Sequence, residues 1–382
     1  MKKVFYRMSV LCCMVFLVVA CASKDNTLPP SPLVNFTPTL NVEQLWLVSV
    51  GNGSSKDYLR LTPAVSGESV FVSSSDGDLY SIDTQTGKTL WKTNVANSLT
   101  SGPSVDNGKV FVATGEGGVA ALDQSTGEIL WQTPVASEIL SKPTSLKGTV
   151  LVKSIDGSLT ALSASDGRQL WRFQQTVPSL ILHASSQPEV AGSTVVAGFA
   201  NGKLGAFDFK SGKLLWLQAI ADPQGATDVE RMVDIDVNPV VINGIVYVAT
   251  YQGYIAALDL KTGRLIWRHS ISSYAGIAAD YSRLYLSDAK SYVWGFSDED
   301  GVVAWRQKSL LGRKITGPAI LGDYIVVGDA EGYLHWISKS TGKFVARSLV
   351  DDSGLIAPPV AAGNTLYAYT TSGNLYAFRV GK

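Results

Sequence analysis

The sequence predicts an all-β chain closed into an eight-bladed β-propeller, and three observations carry that prediction. The first is self-similarity. TGKTLW (86 to 91), TGEILW (126 to 131), DGRQLW (166 to 171), SGKLLW (211 to 216), TGRLIW (262 to 267) and DGVVAW (300 to 305) are copies of one motif, and TGKFVA (341 to 346) is a further copy with Ala346 in place of Trp. The second is local pattern. Each copy follows two apolar-alternating runs, such as SVFVSS then DLYSID, with a short Pro-containing segment upstream such as TPAV or NPVV. Period-two alternation rich in Val, Ile, Tyr and Leu is a strand signal, and four short strands in about forty residues is the size of a propeller blade.

The third observation is how the count closes. The last unit (APPV, TLYAYT, NLYAFRV) lacks its Trp strand, while EQLWLVSV (43 to 50) has a Trp strand with nothing before it. Joining the two makes an eighth blade from both termini and pairs edges that would otherwise stand open. Trp46, Trp91, Trp131, Trp171, Trp216, Trp267 and Trp305 then hold one equivalent position in seven blades, where they are expected to pack between blades. Burying such an indole removes 150 to 250 Å² from water, an upper bound of roughly 4 to 6 kcal/mol each. Trp336, on the strand before Ala346, is expected to fill the space left there.

The chain divides into three parts. Lys2, Lys3 and Arg7 precede an apolar run from Met8 to Ala20, too short for a stable membrane span and shaped like a secretory signal over residues 1–20. VVAC (18 to 21) resembles a bacterial lipobox, which implies cleavage before Cys21 and lipidation of that residue; Ala22, rather than Asp, fits release to the outer membrane. Residues 21–40, with Pro29, Pro30, Pro32 and Pro38, read as a lipidated, semi-extended tether. Its reach is roughly 50 Å if polyproline-like. Residues 41–382 form the propeller.

Composition excludes several functions. The 382 residues hold 32 Lys plus Arg and 32 Asp plus Glu, and removing the signal leaves 29 cations against 32 acids, so no strong field recruits nucleic acid. Cys12 and Cys13 leave with the signal and Cys21 is lipidated, so the mature body has no thiol for a disulfide, metal site or nucleophile. GKT at 87 to 89 lacks the earlier Gly of a phosphate loop, Ile82 standing there. His183, His269 and His335 are too scattered for a short metal motif. No metal site is expected.

One stretch, ERMVDIDVNP (230 to 239), sets Asp234 and Asp236 two positions apart. DIDVN imitates the start of a calcium loop, but Pro239 stands where that loop needs Gly and Ile245 where it needs a bidentate acid. Nothing in the sequence marks an enclosed pocket that would raise one pKa for acid and base roles. Repeat spacing is more informative. Successive Trp positions from Trp46 to Trp305 lie 45, 40, 40, 45, 51 and 38 residues apart, so long additions follow Trp171 and Trp216. These two loops, about 174 to 187 and 218 to 238, join successive blades on one rim and should form a single raised patch. It combines Leu180, Ile181 and Leu182 with Arg231, Met232, Asp234 and Asp236. Exposed apolar residues beside fixed charges read as a protein interface. Two readings stand open: docking of a partner, or leucines folded inward with the acids capping local backbone.

The spelling A-L-D-x-x-T-G-x-x-x-W, clearest in AALDQSTGEILW and AALDLKTGRLIW, is similar to the repeat of pyrroloquinoline quinone (PQQ) dehydrogenase propellers. Two families share it: quinoprotein enzymes, and BamB, the propeller lipoprotein of the outer-membrane β-barrel assembly machinery. The lipobox, the Pro-rich tether, the bare eight-blade body and the stretches VERMVDIDVNPVV, GYIAALDLKTG and VVGDAEGYLHWI resemble the second over essentially the full length. The first usually carries an adjacent Cys pair and calcium-binding acids on a longer chain, and no mature Cys exists here. Resemblance to BamB implies a non-catalytic scaffold without a cofactor, anchored to the outer membrane and facing the periplasm. It implies docking on the periplasmic domains of a BamA-like barrel insertase, and contact with unfolded outer-membrane proteins at the blade edges through strand addition. In that family the two long loops carry the docking residues. Leu180 and Leu182 match the apolar contacts and Asp234 and Asp236 the acidic ones; Arg231 lies in the same loop, and His183 falls where the family often has Arg, which makes a contact there sensitive to pH near 6 to 7. The alternatives are a quinone- or calcium-binding propeller dehydrogenase and a periplasmic polypeptide-binding module with another partner.

Overall fold

A glycine turn and a tryptophan together build seven of the eight seams between blades. In the second blade, Asp123 ends the third strand and its Oδ1 accepts from the Ser125 and Thr126 backbone N–H groups at 2.9 Å each, which fixes the tight turn. Gly127 follows with φ of 74°, and a Cβ there would lie 2.6 Å from Cε3 of Trp91 on the preceding blade. Only glycine permits both the left-handed backbone and the indole resting on it. The indole N–H of Trp91 then donates to Gln124 O at 3.0 Å. The same bond runs from Trp46 to Thr84 O, Trp131 to Ala164 O, Trp171 to Phe209 O, Trp216 to Leu260 O and Trp305 to Lys339 O. Trp267 rests on Gly301 in the same way.

The computed structural model describes residues 28–54, 58–183 and 185–381, and every regular element in them is a β-strand. The strands form eight four-stranded antiparallel sheets, each a meander from an inner three- or four-residue strand to an outer one. Seven sheets are continuous in sequence. The eighth comprises Val360–Ala362, Thr365–Tyr369 and Asn374–Val380 with the N-terminal strand Val42–Ser49 on its outer edge, paired from Val42↔Val380 to Ser49↔Asn374. Closure by both termini is as the sequence predicts. The signal and Cys21 lie outside the described residues.

The tryptophans are less buried than expected. Trp46, Trp171 and Trp305 are buried, whereas Trp91, Trp131, Trp216 and Trp267 are half-buried, because each sits on the outermost strand with one edge toward solvent. Their cross-strand neighbours explain the fit. Opposite the seven tryptophans, the third strand carries Ser81, Ala121, Ala161, Ala206, Ala257, Gly295 or Ala377. A small residue there lets the indole lie across the sheet toward the second strand, as in the Phe71–Trp91 and Tyr247–Trp267 ring pairs. Blade seven reverses the pair. Trp336 stands on the third strand directly opposite Ala346, is fully buried, and shares one apolar cluster with it.

The Pro-rich segment departs from the expected free leash. From residue 28 it is fixed to blade seven and the loop before it. Ser31 N–H donates to Leu311 O (2.8 Å), Thr39 and Leu40 N–H donate to Val345 O, and Phe36 stacks on Phe344 at 5.6 Å. Arg313 Nη1 donates to Ser31 O (3.0 Å) and Arg347 Nη1 to Val34 O (3.1 Å). Behind them, Arg313 Nε donates to Asp329 Oδ2 (2.6 Å), His335 Nε2 lies 2.8 Å from the same oxygen, and Arg347 Nε donates to His335 Nδ1 (3.3 Å). An arginine can only donate, so Nδ1 accepts and the ring proton is on Nε2, toward Asp329. Burial keeps His335 neutral to lower pH than usual.

Two outcomes test the seam. Trp336→Ala should cost about 3–5 kcal/mol in guanidinium unfolding, as for other large-to-small changes in a packed core. Adding Ala346→Trp should return less than half of that, because blade eight takes its outer strand from the N-terminus and has no glycine turn to receive the indole. Full recovery would show that volume alone governs the site.

Candidate partner-docking site

The two long connections, 175–188 between blades three and four and 220–239 between blades four and five, lie on the same rim and are joined to each other. Leu182 N–H donates to Asp234 Oδ1 (3.1 Å) and Gln187 N–H to Asn238 Oδ1 (2.7 Å). The join rests on the alternation in VDIDV. Val233, Ile235 and Val237 point one way and are buried, Ile235 in the apolar cluster between blades four and five and Val237 in the next. Tyr251 N–H donates to Asp234 O (2.9 Å), so the stretch is held by backbone as well.

The opposite side of that alternation corrects the sequence reading of the acids. Asp234 and Asp236 were expected as surface contacts, yet they are 1% and 3% exposed. The apolar residues anchor the strand-like stretch so deeply that the carboxylates between them are carried below the surface. Two cations answer them. Arg60 donates through Nη1 to Asp236 O (3.2 Å) and through Nη2 to Tyr274 O (2.5 Å). Lys153 Nζ donates to Ser186 Oγ (2.8 Å) and Gly198 O (2.6 Å). The expectation that nothing here would raise a carboxyl pKa fails too. Burial, with the neighbouring Asp236 charge, pushes Asp234 up to about 7; burial pushes Asp236 up to about 6 against the pull of Arg60 and Lys153. Burial also lowers Lys153 to about 8.

Sequence reasoning missed Arg60 and Lys153. A signal for the second existed: Lys153 ends its strand where six other blades carry the small residues Ser73, Ala113, Gly198, Ala249, Ser287 and Gly328 and blade eight carries Tyr369. A lysine among such small residues announces a buried partner set.

The remaining predicted residues reach the surface. Leu180 is 38% exposed, Ile181 and Leu182 are half-buried, and His183 is exposed with Nε2 at 3.8 Å from Glu138 Oε2. Arg231 is exposed in a loop tip, 222–231, that is exposed throughout. The tip is nevertheless ordered by its own polar groups. Glu230 Oε2 accepts from Ala226 and Thr227 N–H (2.8 and 3.0 Å), and Arg231 Nη2 donates to Asp228 Oδ1 (2.5 Å). Between this patch and the opposite part of the rim opens a cavity of about 590 Å³ at the mouth of the propeller, lined by Leu182, His183, Asp236 and Arg60 on one side and Lys314 and Ala330 on the other. Both sequence alternatives are therefore realised in part: Asp234 caps the Leu182 N–H and Asp236 is buried beside it, while Leu180 and Arg231 face outward.

The chain is similar to known proteins over most of its length. Residues 41–95 and 75–307 match the family model described as outer membrane protein assembly factor BamB. The chain belongs to the BamB family. Proteins named outer membrane protein assembly factor BamB are 43% identical in Pseudomonas aeruginosa, over 98% of this chain and 99% of that one, and 45% identical in Alkalilimnicola ehrlichii, over 100% and 98%. The crystal structure of BamB from Moraxella catarrhalis superposes with a TM-score of 0.81 at 24% identity, covering 89% of this chain and all of the other. A quinohemoprotein alcohol dehydrogenase from Comamonas testosteroni shares the fold, with a TM-score of 0.70 at 15% identity, covering 89% of this chain and 77% of that one.

Two measurements check the brace. Asp234→Ala leaves Leu182 N–H without its acceptor and should destabilise by about 1–3 kcal/mol, with faster amide exchange in 175–188, while Asp234→Asn should retain protection. The pH dependence follows from sign. Asp236 holds its proton to higher pH in the native state than in the unfolded chain, so native stability falls as pH rises from about 4 to about 7. Relative to Asp236→Asn, the wild type should lose about 1–3 kcal/mol across that window, at about 1.4 kcal/mol per pKa unit.

Proposed function

We propose that this protein is a non-catalytic scaffold of outer-membrane β-barrel assembly, held to the outer membrane by lipid on Cys21 and docked on the periplasmic domains of a BamA-like insertase. The observation that carries the docking is the braced patch: two long seam loops, joined through Leu182 N–H and Asp234, present Leu180 and Arg231 as exposed side chains. Family membership supports the assembly role, since the relatives are named as assembly factors. Leu180, Leu182, His183 and Arg231 make the contacts in this reading. Asp234 and Asp236 set the shape of the loop that bears them and do not touch the partner. An apolar anchor on a pre-ordered loop suits binding, because little conformational freedom is lost on association.

A second activity has its own observation. On the outermost strands of blades one to five the residue before the seam tryptophan faces outward, and Leu90, Leu130, Leu170, Leu215 and Ile266 are all exposed. Each such strand also has an unpaired backbone edge. Apolar side chains along an open edge support strand addition by an unfolded outer-membrane protein.

Co-purification of the insertase from detergent-solubilised outer membranes tests the docking. Leu180→Asp and Arg231→Ala should each reduce capture about tenfold or more, equivalent to about 1.4 kcal/mol. Asp234→Ala should also reduce it, and Asp234→Asn should restore it, because the hydrogen bond and not the charge is required. Equal loss in the Asn and Ala variants would instead make the carboxylate a direct contact, and undiminished capture by Leu180→Asp would remove the patch from the interface.

A further inference from the structure

The fixed N-terminal segment carries a consequence for orientation that rests on lipidation of Cys21. Residues 31 to 40 cross the side of the propeller from rim to rim. At Ser31 the segment meets Ser309 and Leu311, in the connection between blades six and seven. That connection emerges on the same rim as the two long loops, since all links from an outer strand to the next inner strand do so in this meander. At Leu40 it reaches the opposite rim, where Val42 begins the closing strand. A Cβ on Gly312 would lie 2.4 Å from Pro29 O, so the contact extends nearly to residue 28.

The hold is built from buried charge. Arg313 is 2% exposed and Asp329 and His335 are fully buried, and the two arginines grip the segment by backbone carbonyls. Releasing it would leave Arg313 with donors it cannot satisfy inside the protein. Six residues lie between Cys21 and Leu28, seven steps along the backbone. Fully extended they span about 25 Å at roughly 3.5 Å per residue. Five- and six-residue strands alone give the propeller a thickness of about 20 Å before its turns are added. From the Leu28 end, that reach would be consumed in passing back to the opposite rim.

We infer that the rim bearing the long loops faces the lipid surface, and that the opposite rim faces away from it. A partner domain docked at Leu180 and Arg231 then lies between propeller and membrane or level with the membrane-facing rim. The anchor at blades six and seven and the docking patch at blades three to five stand on the same rim, so lipid and partner constrain the body from the same direction.

The mature chain has no free thiol in this reading, so a single introduced cysteine can be labelled cleanly. Lys308→Cys places an exposed probe on the long-loop rim, and Thr341→Cys places one on the opposite rim. The full-length lipoprotein is reconstituted in phosphatidylethanolamine/phosphatidylglycerol vesicles carrying a headgroup nitroxide, and fluorescence quenching is compared. The Lys308→Cys probe should be quenched several-fold more strongly. Inserting about twenty Gly/Ser residues between positions 27 and 28 adds about 25 Å of flexible reach without touching the fixed segment, and should bring the two probes toward equal quenching. Arg313→Ala/Arg347→Ala should do the same if it folds. Equal quenching in the unmodified chain, or stronger quenching at Thr341→Cys, overturns the inference. Mass spectrometry of the N-terminal peptide separates this from failure of the anchor: absence of acyl chains on Cys21 removes the premise, whereas acylated protein with equal quenching removes only the orientation.

Discussion

Everything in this molecule is arranged around one contact, an indole of one blade resting on a glycine turn of the next. The contact is directional, because the indole N–H also needs the carbonyl beside that glycine. Where both parts are present, as in six of the eight seams, the contact fixes both the spacing and the angle of the neighbouring blade. Since no strand crosses from one sheet to another, the apolar cores are a chain of clusters between adjacent blades. Such a structure is governed by neighbour terms, so one seam can be altered without the others being redesigned.

That autonomy is what allows the docking loops to exist. A connection between blades contributes nothing to the indole–glycine contact and is free to lengthen. The price of lengthening is a long backbone with polar groups to satisfy, and here the alternating VDIDV stretch solves it by burying three apolar side chains, Ile235 between blades four and five and Val237 between blades five and six among them. The buried acids are the by-product, and Arg60 and Lys153 keep their cost tolerable. A loop braced in this way presents Leu180 in a defined place, which a mobile loop of the same sequence would not.

The parts legible in the sequence were those that repeat. Strand number, closure by the termini and the seam tryptophans follow from a pattern sampled many times along one chain, where an error in one copy is outvoted by the others. The docking patch was legible only as length and composition. Asp234 and Asp236 looked like surface charges because loop residues usually are, and the valines and isoleucine between them were the evidence against it. Arg60 and Lys153 were invisible as partners because the contact joins blades far apart in sequence. The N-terminal segment was misread for a related reason: proline-rich composition describes backbone stiffness, and says nothing about arginines 282 and 313 residues away that capture its carbonyls.

Blade seven shows how the closing arrangement propagates backward into sequence. An indole at position 346 would need a glycine turn on blade eight, but there the outer strand enters from the N-terminus, and the turn that every other blade possesses does not form. The large side chain has moved one strand inward, to Trp336, and the vacated outer strand has gained a different neighbour. Val345 O accepts from Thr39 and Leu40, Phe344 stacks on Phe36, and Leu40 and Val42 pack against the cluster that holds Trp336 and Ala346. A single missing turn thus accounts for the absent tryptophan and opens the surface on which the N-terminal segment lies. The place where the ring is closed is also the place where the chain leaving toward its anchor is held, and both follow from the outer strand of blade eight being supplied by the opposite end of the chain.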